Sequence, residues 1–192
     1  MPLVKHHRLL DDPWVSVDDD AEIPDDKPII VSLERWRAER DALIHRGGPL
    51  GIRLAADQSS DDIADDLDRF EMVALHFPKF TDGRAHSTAR LLRERHGFEG
   101  EVRATGQVLR DQFLFMWRCG FDAFEVASTD ALEAWHKAMG ELSLSYQPAA
   151  DDRIPAHALR RRRARETAGA ASRPGEPEHA PREACCAGDW AD

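Results

Sequence analysis

The chain has 192 residues, a formal net charge of −10 and three cysteines. An acidic balance argues against a nucleic-acid-binding protein, which normally presents a basic face. No apolar run reaches the roughly 18 residues that a membrane span requires, and the first residues lack the apolar segment of a signal peptide. An odd cysteine count is a poor disulfide framework. We therefore expect a cytoplasmic protein with neither nucleic acid nor membrane among its partners.

The first 28 residues are acidic and rich in turn-forming residues. Two short apolar stretches, VKHHRLL and WVSV, stand on either side of an Asp-Asp-Pro turn, and this spacing predicts a short hairpin between them. The segment DDDAEIPDDKP that follows predicts a loop, because its charges and prolines leave nothing to bury. Residues 1–28 are therefore interpreted as an acidic N-terminal arm.

Strand and helix patterns alternate five times between residues 29 and 148, with short connections. The predicted strands are residues 28–32, 51–57, 72–77, 101–106 and 121–127, and a helical pattern follows each one. Such alternation predicts right-handed crossovers and a parallel sheet. Five strands are too few for a closed eight-stranded barrel. We therefore expect an α/β domain whose sheet is either partial-barrel-like or open and doubly wound, and we favour the partial barrel.

Helix ends and helix faces can also be predicted. Ser32 is the expected cap of the first helix, and Ser128 or Thr129 that of the last. The fourth helix is predicted over residues 107–119 and is apolar most of the way round. Such a helix is either sandwiched in the core or in contact with a partner, which includes a second copy of this chain as a homodimer. The candidate partner-contact residues are Leu114, Phe115 and Trp117.

The periodic pattern ends near residue 149. We predict a disordered tail rich in Arg, Ala and Pro over residues 149–192. The run RRRRAR at residues 160–165 is either solvated or in contact with an anionic partner. Cys185 and Cys186 lie in this tail, where metal binding and mixed disulfides are both open alternatives.

Ligands of parallel α/β folds bind at the carboxyl ends of the strands. Three ends carry suitable groups: Asp57–Gln58, the segment FPKFTDGR at residues 77–84, and Thr105–Gln107 with the helical turn after it. The second precedes a helix and contains cations, so it is predicted either to bind an oxyanion or simply to cap the helix through Thr81 or Asp82. The candidate ligand-binding residues are Lys79, Thr81, Asp82, Arg84, Arg103, Arg110, Asp111 and Gln112.

Arg103 has two interpretations because it lies on a predicted strand. It either reaches a ligand or forms an ion pair with Glu101, Glu125 or Asp111, and we favour the ion pair. The sequence contains no Rossmann, Walker or GxSxG motif, and its histidines show no metal-ligand spacing. Four clustered cysteines, the usual iron–sulfur ligands, are absent as well. We therefore predict no metal site and no cofactor, and we assign no catalytic residue.

Four blocks of the sequence resemble the bacterial DUF934 family: IIVSLERW, GPLGIRLAADQ, FPKFTDGRAHSTARLLRERHGFEGEVRATGQVLRDQ and RCGFDAFE. The resemblance covers residues 29 to about 128. The chain differs from the family pattern at His76, where an acidic residue is common, and in its Arg-rich tail. The resemblance implies a cytoplasmic protein of assimilatory sulfate and sulfite reduction, described as a probable oxidoreductase or accessory protein. It implies sulfite reductase or its electron donor as the partner.

Two functions compete on these grounds. The first is a non-catalytic accessory protein of sulfite reductase with an oxyanion-binding loop at residues 77–84. The second is an enzyme with a strand-end active site for a small anionic sulfur metabolite, built from Asp57, Lys79, Asp82, Arg103 and Asp111. We favour the accessory protein because the sequence lacks a cofactor motif.

Overall fold

The computed structural model describes residues 2–5, 7–127, 130–151 and 153–171. Backbone contacts divide the chain into two units, residues 1–155 and 156–192, and each is described by itself. The strands of the first unit are β1 (Leu3–Lys5), β2 (Arg8–Leu10), β3 (Val15–Ser16), β4 (Ile29–Ser32), β5 (Leu50–Leu54), β6 (Met72–Phe77), β7 (Glu101–Gly106) and β8 (Ala123–Glu125). Its α-helices are α1 (Leu33–Ile44), α2 (Arg84–Glu94), α3 (Phe113–Cys119) and α4 (Ala131–Glu141), with 3₁₀ segments at Ser60–Arg69 and Arg110–Gln112.

The sheet order is β2-β1-β8-β7-β6-β5-β4-β3. Strands β3 to β8 are parallel and lie side by side in chain order, whereas β1 is antiparallel to both β8 and β2. Each crossover therefore moves one strand in the same direction, and right-handed crossovers then place their helices on a single face. The result is a curled half-barrel. The α/β prediction and its partial-barrel form are confirmed, and the doubly wound alternative is wrong.

The main hydrophobic core lies between the helices and the convex face of this sheet. Side chains alternate along each strand, so Ile52 and Leu54 of β5 point to the helices while Gly51 and Arg53 point away. Leu33 and Trp36 of α1 share this core with buried residues of α2, α3, α4 and the 3₁₀ segment at Ser60–Arg69: Ile63, Leu67, Ala89, Leu92, Phe113, Met116, Trp135 and Ala138. Each fully buried aliphatic side chain contributes about 1.5–3 kcal/mol, which makes this layer the main source of stability.

The N-terminal arm covers part of the opposite, concave face. Its hairpin forms within VKHHRLL, between β1 and β2, and extends the sheet beyond β8. The WVSV stretch instead supplies β3 at the other edge, beside β4. Trp14, the first residue of the WVSV stretch, packs against Ile30, Met72 and Ala74. The predicted hairpin between the two stretches is therefore wrong, because each stretch pairs with the unpaired backbone groups of a different sheet edge.

Arg103 of β7 is completely buried beneath the arm. Its guanidinium donates hydrogen bonds to Asp12 at 2.6 Å and to Glu101 at 2.7 Å, and it lies 3.8 Å from Glu125. The predicted pairing with Glu101 and Glu125 is confirmed. Asp12, which the sequence did not suggest, makes a direct bond, and no contact with the predicted alternative Asp111 is present among the described residues.

Helix ends follow the prediction at α1 and depart from it at α3. Ser32 caps α1 by accepting the Arg35 N–H at 3.0 Å. The helix predicted over residues 107–119 begins as a 3₁₀ turn and becomes α-helical only at Phe113. Gly106 has a φ of +88° and Leu109 is extended, so the backbone between them cannot be helical. Ser128 and Thr129, the predicted caps of α4, lie outside the described residues.

The three candidate partner-contact residues of α3 have different environments. Leu114 is buried, which removes it from the accessible surface. Trp117 is half-buried beneath the Arg153 guanidinium, 5.7 Å from its ring centre. Phe115 is 60% exposed. The neighbouring Phe113 and Met116 belong to the core, so most of this helix serves internal packing.

The second unit contains one described helix, α5 (Ala156–Ala171). The predicted disorder is therefore wrong over this range, because Ala and Arg favour the helix by intrinsic propensity even where no apolar face is present. The arginines of the RRRRAR run are exposed on it. Residues 172–192, with Cys185 and Cys186, lie outside the described residues. No helix in the described ranges is long and apolar enough to cross a bilayer.

We predict that Asp12→Ala lowers the free energy of unfolding by about 3 kcal/mol, because it leaves the buried Arg103 charge with fewer partners. Asp11→Ala is the matched control, since Asp11 is exposed one residue earlier in the same arm, and we expect a change within about 0.5 kcal/mol. Urea denaturation followed by circular dichroism measures both. Equal losses in the two variants would contradict a role for the Asp12–Arg103 pair.

Candidate functional site

A cavity of about 550 Å³ opens on the concave face at the carboxyl ends of the central strands. Its polar lining consists of Ser16, Arg53, His76, Thr105, Gln107 and Glu125. Apolar side chains, among them Ile30, Val108 and Leu109, form the rest of its wall. The carboxyl edge is where parallel α/β sheets bind ligands, so this cavity is the candidate functional site.

Arg53 is the cation of this cavity. It lies on β5 between Ile52 and Leu54, which point into the core, so strand alternation turns its guanidinium to the concave side. It donates one hydrogen bond, to the Ser16 hydroxyl at 3.3 Å. Among the described residues no carboxylate forms an ion pair with it. A guanidinium in this position retains donors that match an oxyanion or a carboxylate.

His76 and Thr105 lie side by side at the ends of β6 and β7. The His76 Nδ1 is 3.3 Å from the Thr105 hydroxyl oxygen. Gly106 makes this approach feasible, because a Cβ there would come within 2.8 Å of the His76 ring and 2.4 Å of the Phe77 carbonyl oxygen. The strand end at Thr105–Gln107, which the sequence singled out, thus lines the cavity.

A charge network lies beside the cavity. It contains three carboxyl groups, Asp12, Glu101 and Glu125, and two cations, Arg103 and Lys5. Lys5 bonds to Glu101, while Arg103 bonds to Glu101 and Asp12. Glu125 is left with only the longer 3.8 Å contact to Arg103. Within the described part of the chain this network has three carboxyl groups and two cations, and Glu125 is the member that faces the cavity without a short ion pair.

The Glu125 carboxyl has a raised pKa. Burial is the main cause, since it disfavours the charged form. The negative charge of Asp12 acts in the same direction, whereas the positive charges of Arg103 and Arg53 oppose the shift. Glu125 is therefore the acidic group of the cavity most readily protonated, and a carboxyl with a raised pKa in a cleft is typical of functional sites.

The predicted oxyanion loop at residues 77–84 has a different arrangement. The Arg84 guanidinium donates to both carboxylate oxygens of Asp82, at 2.6 and 3.0 Å, and these bonds help lower the pKa of Asp82 to about 2. Asp82 also accepts the Arg84 backbone N–H at the start of α2, at 3.2 Å. Lys79 and Thr81 are exposed. Asp82 thus occupies the position that an anion would need, although binding by this loop stays a prediction.

The remaining predicted site residues lie apart from the cavity. Gln112 donates to the Phe80 carbonyl oxygen at 2.9 Å, which joins the turn after β7 to the 77–84 loop. Arg110 and Asp111 are exposed beside it. Of these predicted residues, Arg103 contacts a residue that lines the cavity, by its 3.8 Å approach to Glu125. Among the described residues, no group of three or more His, Cys, Asp or Glu side chains is arranged to hold a metal ion.

Neither Arg53 nor Glu125 is among the ligand-binding residues predicted from the sequence. A signal for Arg53 was present, because apolar residues alternate around it in GIRL, and the odd member of such a strand faces away from the core. Glu125 has the same relation to Phe124 in the strand AFE. The pattern gives the side of the sheet, but it does not say that both residues border one cavity.

We predict that Glu125→Gln raises the thermal stability at neutral pH. The raised pKa means that the folded chain holds this proton more tightly than the unfolded chain, so stability falls as pH rises from the ordinary value of 4.5 through the folded-state pKa. Glutamine removes this loss. The melting temperatures of the variant and the parent should differ at pH 7 and converge below pH 4.5, the ordinary pKa of the glutamate carboxyl. A variant that melts lower than the parent at pH 7 would contradict the assignment.

The comparisons with known proteins bear on the same region. A search of the curated proteins found no match. The model of a family described as "Bacterial protein of unknown function (DUF934)" matches residues 51–157. The match begins at β5 and includes β5 to β8, so it contains Arg53, His76, Thr105 and Glu125. It covers more than half of the 192 residues. The chain therefore belongs to the DUF934 family.

Proposed function

We propose that this chain is a non-catalytic accessory protein of assimilatory sulfite reduction, and that it holds a small anionic ligand in the concave cavity. The assignment to sulfite reduction is supported by the sequence resemblance. The binding role rests on one observation: Arg53 borders a cavity and has no ion-pair partner among the described residues. A guanidinium donates bidentate hydrogen bonds to oxyanions. The proposal places the protein in the cytoplasm with sulfite reductase or its electron donor as its partner.

The cavity supports the proposal better than the loop at residues 77–84 does. Arg84 is exposed and bonded to Asp82, so an anion there must compete with a carboxylate that is already in place. The Arg53 guanidinium has the neutral Ser16 hydroxyl as its one hydrogen-bond partner in the described part of the chain. An anion at Arg53 adds an interaction without displacing a charged partner. We therefore move the proposed anion site from the loop to the cavity.

An enzyme acting on a small anionic sulfur metabolite is the second candidate function. The observation that favours it is Glu125, whose raised pKa and position beside the same cavity suit a general acid. His76 offers a second titratable group across the cavity. Binding remains our first choice, because sulfite reduction requires electrons and the sequence carries no motif for a redox cofactor.

Deletion of the gene in a bacterium that assimilates sulfate tests the proposed pathway. We expect growth to be lost on sulfate and on sulfite as sole sulfur source, and to be retained on sulfide and on cysteine. Normal growth of the deletion strain on sulfite would place the protein outside this step. Sulfite reductase activity in extracts separates the two functions: addition of the purified chain restores activity if it is an accessory, and the purified chain alone turns over substrate if it is an enzyme.

Complementation with point variants tests the position of the anion site. We expect Arg53→Ala to fail to restore growth and to weaken sulfite binding at least about tenfold in calorimetry, since a hydrogen bond to a charged group contributes about 1.5–3 kcal/mol. Lys79→Ala with Arg84→Ala should restore growth. Restored growth with Arg53→Ala and no growth with the Lys79→Ala, Arg84→Ala double variant would place the anion site in the loop at residues 77–84. Thermal unfolding confirms that each variant is folded.

A further inference from the structure

The cavity is too large for an inorganic oxyanion alone. Its volume is about 550 Å³, within the range of roughly 300–1,000 Å³ typical of sites for organic ligands. A liquid water molecule occupies about 30 Å³, and sulfite, with four heavy atoms, needs only a few times that space. A ligand that fills the cavity must therefore carry further atoms, and the apolar wall at Val108 and Leu109 suits a hydrocarbon part.

The cavity has two charges of opposite sign that do not pair with each other. Arg53 lies on β5 and Glu125 on β8, three strands away along the curled sheet. No ion pair joins them in the described part of the chain. Neighbouring strands are about 4.8 Å apart, so the backbones of β5 and β8 are separated by roughly 14 Å along the sheet. The two charges border the same cavity from different sides.

Among the described residues Arg53 has no ion-pair partner, and Glu125 has only the longer contact of 3.8 Å with Arg103. Two carboxylates, Asp19 and Glu34, line an adjoining cavity with Arg53, but neither lies within ion-pair distance of it. Each accepts a hydrogen bond from a neutral side chain, Ser32 or Gln58. On the other side, Glu125 shares the Arg103 charge with carboxylates that lie closer to it. A ligand with an anion at one end and a cation at the other would satisfy both.

We propose that the cavity binds a zwitterionic organic ligand of the amino-acid class, whose acid group bonds to Arg53 and whose ammonium group bonds to Glu125. This inference rests on the proposed binding function and specifies its ligand. The hydrocarbon part of the ligand lies against Val108 and Leu109. Binding of the ammonium group adds a positive charge to the network of Asp12, Glu101 and Glu125, and it stabilises Glu125 in its ionised form.

Calorimetric titration of the full chain with ω-amino acids from glycine to 8-aminooctanoate tests the proposal. Hexanoate and hexylammonium are the matched probes with one charged end each. We expect one member of the series to bind at least about tenfold more tightly than either single-charge probe, because each charged hydrogen bond adds to affinity. Hexanoate binding as tight as the best zwitterion would overturn the inference and leave the proposed anion site standing. Failure of every probe and of sulfite would count against both.

Variants at the two charges give an independent check. Glu125→Gln should weaken the best zwitterion about tenfold while hexanoate keeps its affinity or gains, whereas Arg53→Ala should weaken both. Glu133→Gln and Arg69→Ala, at exposed positions, are the matched controls and should change neither. Arg53→Lys keeps the charge should Arg53→Ala fail to fold. An unchanged zwitterion affinity in Glu125→Gln would refute the ammonium contact.

Discussion

The described helices of the first unit pack on one face of the sheet, and most other features of that unit follow from this constraint. Sequential right-handed crossovers place the helices on the convex side. The concave side must then be covered by other means or exposed to water. The N-terminal arm covers part of it with Trp14 and with Asp12, which neutralises the buried Arg103. The remaining part, at the carboxyl ends of the strands, is the cavity.

Arg103 links the stability of the fold to the chemistry of the cavity. A fully buried guanidinium is tolerated only where carboxylates and hydrogen-bond acceptors surround it. Asp12 and Glu101 accept hydrogen bonds from two of its nitrogens, and Glu125 lies 3.8 Å away. Lys5 balances part of the charge of these carboxyl groups. The arrangement holds the arm on the sheet through Asp12. It also leaves Glu125 at the cavity wall with only a longer contact to Arg103. Burial raises the pKa of Glu125, and the negative charge of Asp12 adds to the shift.

A charged ligand is best placed where a charged side chain of the protein has no ion-pair partner. The loop before α2 contains more cations in its sequence, yet its arginine is bonded to an adjacent aspartate. The cavity contains one arginine and one glutamate, which lie on strands three positions apart in the sheet and form no ion pair with each other. Two opposite charges that border one cavity without forming an ion pair favour a ligand with a charged group at each end. Arg84, at the exposed turn before α2, is already bonded to Asp82, and this pair favours a cap of the helix over a ligand site.

The sequence by itself determined the central strands, the alternation with helices and the cap at Ser32, because these depend on periodicity and on contacts within a few residues. It also indicated that Arg103 is ion-paired, since a strand cation near a core needs counter charges. Only the tertiary structure decided that the arm divides between two sheet edges and that Arg53 and Glu125 border one cavity. A period of two gives the face on which a side chain lies. Which side chains meet across that face depends on strand order and curvature, and these arise from contacts between segments far apart in the chain.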